Sequence, residues 1–189
     1  MKKSKFYRVI RPLVKLFTNI FIRPKYKGLE NIPKEGRIIL AGNHTSILDP
    51  LLLISSTKRS IHFLAKDELW KGPKKIIFSN LGLIPVNRRE KDKYALKQAK
   101  EYLENNEVIG IFPEGTTEKG RGLLPFKIGA VKMASDTNTS IVPFSITGSY
   151  KPFKKIKIEF GKPIQIKSTN LEQENNNLRE MIKNMIKEK

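Results

Sequence analysis

Arg37-Ile38-Ile39-Leu40-Ala41-Gly42-Asn43-His44-Thr45-Ser46-Ile47-Leu48-Asp49-Pro50-Leu51-Leu52-Leu53-Ile54 passes from a strand, through a polar turn, into a helix. Residues 37–41 read as a short buried strand, Gly42-Asn43 as its exit, and Asp49-Pro50 ahead of an apolar run as a helix start. A strand that empties into a helix is the repeating unit of an α/β sheet, and sites in such sheets gather at the carboxyl ends of the strands. His44 falls at that place. Asp49 follows close behind, so a carboxylate is within reach to orient the ring, and an oriented imidazole accepts a proton near neutral pH. Asp49 directly before Pro50 also has the form of an N-cap with proline at the first helical position. One carboxylate has acceptor sites for both tasks.

The same alternation continues outward. Strands are predicted at 37–41, 60–65, 83–86, 108–111, 140–146 and 156–160, and helices at 50–57, 74–80, 92–105 and 126–135. Leu178, Met181, Ile182, Met185 and Ile186 form the stripe of a closing helix, with Ser168 or Thr169 as its cap. Strand and helix in alternation imply an α/β fold, a single domain with a mainly parallel, mixed central sheet flanked by helices. No internal repeat or long linker breaks it.

Ahead of that domain, residues 1–22 place Phe6, Val9, Ile10, Leu13, Phe17, Ile20 and Phe21 at the spacing of one apolar helical stripe. Lys2, Lys3, Lys5, Arg8, Arg11 and Lys15 supply the opposite character. A spanning helix needs about 20 mostly apolar residues, and Arg8, Arg11 and Lys15 interrupt this one; no small-residue cleavage site of a secretory signal follows. An amphipathic membrane-interface helix satisfies both faces, with apolar groups in the headgroup layer and cations against anionic lipid. Docking of the stripe on the protein's own core is the alternative. Pro12 is expected to kink the helix or split it in two. The expected organisation is a basic membrane-association segment over 1–25 and one domain over 26–189.

Composition narrows the chemistry. The 189 residues include no cysteine, which excludes a disulfide framework, a thiolate nucleophile and sulfur-ligated metal, and suits a reducing setting. Lysine and arginine number 37 against 18 acidic residues, a formal charge of +19 that draws polyanions: nucleic acid, anionic headgroups or acidic soluble partners. Nucleic-acid binding would need aromatic and basic residues interleaved on one face, or a recognisable module. Aromatic residues make up only 8% of the chain and sit mostly in apolar runs, so no nucleic-acid partner is expected.

There is no Gly-x-Ser-x-Gly elbow either, so the chain offers no activated nucleophile of its own. His44 would instead act on a hydroxyl brought by the substrate, with Asp49 fixing the ring tautomer and steadying the imidazolium. Other strand ends join it. Val108–Ile111 runs into Phe112-Pro113-Glu114-Gly115-Thr116-Thr117, an acid at the apex of a tight turn where glycine permits a close backbone approach. Gly82-Leu83-Ile84-Pro85-Val86-Asn87-Arg88 is a strand end carrying a cation, and Ile141-Val142-Pro143-Phe144 is another. A phosphate monoester suits the bidentate fork of an arginine. His62 lies in an alternating strand pattern and is read as structural, and Trp70 as lining the core or the acyl-facing wall.

These blocks, in this order, resemble the glycerolipid acyltransferase family over about residues 28–165, and most closely its 1-acylglycerol-3-phosphate (lysophosphatidic acid) acyltransferases. Asn43-His44-x-Ser46-x-x-Asp49 together with Phe112-Pro113-Glu114-Gly115-Thr116 carries the resemblance, and Gly82–Arg88 supports it. It implies His44 as general base, Asp49 as its orienter, and Arg88, Glu114, Gly115 and Thr116 as the cradle of the glycerol phosphate. Lys66 matches a lysine of the family that would bind phosphate or the developing oxyanion. The chain departs from the family at Thr117, where an arginine is usual, with Lys119 or Arg121 as replacement cations, and at Asn87, where an aspartate is frequent.

The reaction implied moves a fatty acyl group from acyl-carrier protein or acyl-CoA to the free sn-2 hydroxyl of lysophosphatidic acid, giving phosphatidic acid. No cofactor and no metal are expected. The expected setting is the cytoplasmic face of the cell membrane, peripheral or monotopic, with residues 26–189 as the acyltransferase domain. Glycerol-3-phosphate or another lysophospholipid as acceptor is the nearest alternative. A basic, non-catalytic lipid- or nucleic-acid-binding protein is the more distant one.

Overall fold

The computed structural model describes residues 5–70, 78–87, 93–117, 122–151 and 154–187. Arg88, Lys119, Arg121 and most of the helix expected over 74–80 lie outside the described residues; 78–80 are helical.

Seven strands form one sheet: β1 (Lys25–Lys27), β2 (Ile38–Gly42), β3 (Ile61–Lys66), β4 (Ile84–Val86), β5 (Val108–Ile111), β6 (Ile141–Gly148) and β7 (Ile156–Phe160), in the order β1-β7-β6-β2-β5-β3-β4. Neighbours pair in parallel throughout except β6 and β7, which are antiparallel. The mixed, mainly parallel sheet is the one expected. Each predicted strand lies within two residues of an observed one. β1 was not foreseen, because Lys25-Tyr26-Lys27 has too little apolar character to read as a strand.

The described α-helices are α1 (Lys5–Phe17), α2 (Asp49–Ser56), α3 (Lys93–Glu104), α4 (Gly129–Thr137) and α5 (Leu171–Lys187). Every residue of central β2 is buried. That explains its unbroken apolar run, since a strand covered on both faces has no solvent side to alternate toward. Alternate side chains go to opposite faces. Ile38 and Leu40 join Leu52 and Leu53 of α2 with Phe63, Phe144 and Phe160 on one side. Ile39 and Ala41 join Ala99 of α3, Met133 of α4 and Leu178 of α5 on the other. A Cβ on Gly42 would lie 2.3 Å from the Phe144 carbonyl oxygen, so glycine permits the close β2–β6 approach at the strand exit.

Three local expectations need correction. α1 is not split at Pro12 but continues to Phe17, where a π-helical turn over Thr18–Ile22 follows and ends at Arg23 in the left-handed region. Proline removes one helical hydrogen bond and crowds the carbonyl a turn earlier, and α1 persists because it is also held from outside. Tyr7 donates its hydroxyl to the Arg59 carbonyl, and Thr18 pairs with Ser55 at 2.9 Å. Second, Asp49 is itself helical, with Leu48 in the cap position. Third, α5 is capped by Asn170, whose Oδ1 accepts from Gln173 N–H, while Ser168 Oγ accepts from Asn170 N–H one turn earlier.

α1 is docked with its greasiest side outward. Tyr7 and Thr18 are buried, and Val14 and Ile22 pack on the core. Val9 and Phe21 remain 63% and 73% exposed, and Leu13, Leu16, Phe17 and Ile20 are exposed with them. The single stripe expected from sequence is therefore divided, with Phe6 and Ile10 half-buried and the rest facing away. No helix among the described residues is long and apolar enough to cross a membrane.

Candidate active site

Parallel pairing brings the carboxyl ends of β2, β5, β3 and β4 to one edge of the sheet. His44 leaves β2 there, Glu114 leaves β5, and Lys66 ends β3. The separation of these residues in sequence disappears because each strand delivers its own loop to the same rim.

The loop after β2 folds around the Asp49 carboxylate. Oδ2 lies 2.9 Å from His44 Nδ1 and accepts the Ser46 N–H at 2.9 Å and the Thr45 N–H; Oδ1 accepts the Thr45 hydroxyl at 3.0 Å and the Tyr150 hydroxyl. Asp49 is wholly buried. Its acceptors are spent on the turn that precedes α2, which is why it does not cap the helix. Burial pushes its carboxyl up, but the donors of His44, Tyr150, Ser46 and Thr45 outweigh burial and hold it below the usual carboxylate value. An ionised carboxylate can only accept, so Nδ1 of His44 carries the hydrogen and Nε2 keeps the basic lone pair. Tyr150, half-buried and beside that charge, is held as the neutral phenol far above its ordinary range.

Two further contacts fix the ring. His44 stacks on Phe112 at 4.0 Å between centroids and 15° between planes. Its backbone N–H donates to Glu114 Oε1 at 2.8 Å, while Glu114 Oε2 accepts the Leu124 N–H at 3.1 Å. Glu114 thus ties the loop after β2 to the segment leading into α4. Asn43 completes the anchoring: its side-chain amide donates to the Ile146 carbonyl at 2.8 Å and accepts the Ile146 N–H at 2.7 Å.

His44 is 17% exposed and lies in a cleft of about 260 Å³ lined by Asn43, Thr45, Glu114, Leu123, Thr147 and Ile186. Gly115 sits in the left-handed region at φ 71°, and a Cβ there would lie 3.1 Å from Lys127 Nζ. Glycine thus serves both the turn and the cation packed over it. Thr116 follows in the same turn, half-buried, and Lys66 is exposed at the end of β3.

The structure therefore brings together His44, Asp49, Glu114 and Gly115. Sequence reasoning missed Tyr150, Phe112 as a stacking partner, and Lys127. Tyr150 is 101 residues from Asp49, so no local pattern could show it. His62 is the structural residue expected: Nδ1 donates to the Gly82 carbonyl at 2.9 Å, and the ring stacks on Tyr102 at 3.7 Å. An acid does lie near it in space, with Glu107 Oε2 at 3.8 Å from Nε2.

A family model described as Acyltransferase matches residues 23–147. The chain is 38% identical over 131 residues to the 1-acyl-sn-glycerol-3-phosphate acyltransferase of Borreliella burgdorferi, covering 68% of this chain and 52% of that protein. It is 34% identical over 159 residues to the chloroplastic 1-acyl-sn-glycerol-3-phosphate acyltransferase of Arabidopsis thaliana, covering 79% and 43%. The chain thus spans about half the length of these curated relatives. The 1-acyl-sn-glycerol-3-phosphate acyltransferase of Bacillus subtilis is 29% identical over 150 residues, covering 74% and 73%. Among solved structures, the 1-acyl-sn-glycerophosphate acyltransferase of Thermotoga maritima superposes with a TM-score of 0.80 at 25% identity, covering 96% of this chain and 80% of that one.

Proposed function

This chain belongs to the acyltransferase family, and we propose that it transfers a fatty acyl group from an acyl thioester to the free sn-2 hydroxyl of lysophosphatidic acid, making phosphatidic acid. The observation that carries the reading is the His44–Asp49 pair, with its carboxylate wholly buried and its ring open to the cleft. His44 Nε2 removes the proton of the acceptor hydroxyl as that oxygen attacks the thioester carbonyl. Asp49 holds the tautomer and stabilises the imidazolium that forms. Collapse of the tetrahedral adduct breaks the carbon–sulfur bond, and the imidazolium returns the proton to the leaving thiolate. The displacement is single, and no acyl-enzyme accumulates.

The phosphate of the acceptor is assigned to the rim formed by the loops after β3, β4 and β5. Lys66 and the turn Glu114-Gly115-Thr116 contribute from the described residues, and Arg88 is the cation assigned after β4. Lys127 over Gly115 is a cation already placed at the turn where Thr117 replaces the family's arginine. Glu114 braces the His44 loop through two backbone donors, and its remaining lone pairs are suited to a glycerol hydroxyl. These groups act by positioning: a hydroxyl held beside Nε2 turns an encounter into an intramolecular step.

The donor is acyl-carrier protein or acyl-CoA, both acidic and both suited to a chain of +19. Residues 1–25 serve as the membrane-association segment and 26–189 as the acyltransferase domain, working peripherally at the cytoplasmic face of the membrane. The outward apolar side of α1 and of the turn after it supports this, because four large apolar side chains exposed on the helix and two on the turn are otherwise a standing cost in water. Purified chain supplied with radiolabelled lysophosphatidic acid and each donor should form phosphatidic acid, and His44→Ala should reduce the rate at least a thousandfold, on the order of a lost general base. Turnover only with glycerol-3-phosphate or another lysophospholipid would replace the named acceptor. Full activity in His44→Ala would end the mechanism.

A further inference from the structure

Away from the His44 cleft, a groove of about 590 Å³ lies between the π-helical turn that follows α1 and the connection from β6 to β7. Ile20 and Phe21 form its apolar wall, continuous with the exposed side of α1. Arg23 and Lys25 stand at one rim, and Lys151, Lys154 and Lys155 at the other. Among the described residues, no acidic one lines it. Lys154 N–H donates to the Lys151 carbonyl and Ser149 N–H to the Lys155 carbonyl, which ties together the described ends of the connection that bear the three exposed lysines. The inner wall is Tyr150, whose hydroxyl reaches Asp49.

We propose that this groove holds the phosphate headgroup of an anionic membrane phospholipid whose acyl chains lie along the exposed side of α1. A cationic ring open on one side to a greasy face matches an amphiphile with a charged head better than it matches a soluble anion. Two contacts distant in sequence, α1 and the β6–β7 connection, then grip the same lipid, which fixes the tilt of the domain on the surface. The His44 cleft meets the membrane in one orientation as a result. The proposal rests on the reading of α1 as a membrane-facing helix; it does not depend on acyl transfer.

The test is sedimentation of the full chain with vesicles of phosphatidylcholine containing phosphatidylglycerol, at physiological salt. Each cation near an anionic surface contributes about fivefold in binding, so the triple variant Lys151→Glu, Lys154→Glu, Lys155→Glu should lose at least about a hundredfold. A matched reversal at Lys97, Lys162 and Lys167, with the same net charge, should lose far less. Equal losses in the two variants would overturn the groove in favour of diffuse attraction. Unchanged vesicle binding combined with a raised KM for acyl-carrier protein would overturn it by assigning the groove to the donor. Far-ultraviolet circular dichroism of each variant separates lost binding from lost fold. A chain inactive with every acceptor but binding vesicles through the groove would sink the acyl-transfer reading and leave this one standing.

Discussion

The two histidines of this chain have nearly the same equipment and opposite situations. Each rests flat on an aromatic ring at 15°, His44 on Phe112 and His62 on Tyr102, and each has an acid within reach. At His44 the acid is at Nδ1, 2.9 Å away and wholly buried, and the other nitrogen is left to the cleft. At His62 a backbone carbonyl occupies Nδ1, and Nε2 is buried without a hydrogen bond, 3.8 Å from Glu107. A neighbouring acid is therefore not what makes a base. The acid must hold one nitrogen while the other faces the space where a substrate can sit.

Asp49→Asn attacks the half of this contrast that matters most. An amide keeps the shape but no longer enforces the tautomer, and the expected loss in kcat is on the order of a thousandfold or more. A loss below tenfold would mean that the ring needs no carboxylate. Tyr150→Phe removes a single donor from Oδ1. One hydrogen bond to a charged group contributes about 1.5–3 kcal/mol, of which only the part that reaches the ring should appear in turnover, so kcat should fall by about tenfold or less. The acidic limb of the pH–rate profile should shift while KM for the acceptor stays in place. A purely structural tyrosine would lower stability and leave that limb where it was.

His62→Gln should have the smallest effect on transfer, within about twofold, and a visible one on stability against pH. Burial lowers the His62 pKa from its ordinary value of 6.5, against the raising effects of the Gly82 carbonyl and Glu107. The unfolded chain therefore takes up the proton first as pH falls. The stability held by neutral His62 is present above 6.5 and is lost as pH drops through the folded value. In the glutamine variant that slope should vanish, because the group that takes up the proton has been removed. The depressed carboxyl of Asp49 adds a separate contribution to stability, present above 3.8 and lost only at still lower pH. Thermal unfolding between pH 4 and 8 distinguishes the two. A His62→Gln variant without transfer activity would reverse the roles assigned to the rings.

Much of this architecture was legible because the central strands are buried on both faces. Residues 108–111 and 156–160 were bounded correctly from sequence, the first as an apolar run buried throughout and the second as an alternation in which Ile156, Ile158 and Phe160 are buried and Lys157 and Glu159 half-buried. The pairing of His44 with Asp49 was legible for a local reason, because both sit on one turn. What escaped the sequence reading lies across the fold. The Asp49–Tyr150 bond, the bridge from Glu114 to the His44 loop and the nearness of Glu107 to His62 depend on which strands are neighbours, and periodicity carries no such information. The outward side of α1 escaped in part for the same reason: its spacing shows a stripe, and only the position of α2 and Ser55 shows which residues are covered.

Asn43 imitates one residue of a strand. Beyond Gly42 no backbone from β2 remains to meet Ile146, and the carboxamide supplies both the acceptor and the donor that a peptide unit would have supplied. The β-ladder is thereby extended by a side chain, and the segment bearing His44 inherits the stiffness of the sheet. In hydrogen–deuterium exchange the Ile146 amide should be protected as long as those of the central strands, and in Asn43→Ala it should exchange like a frayed end.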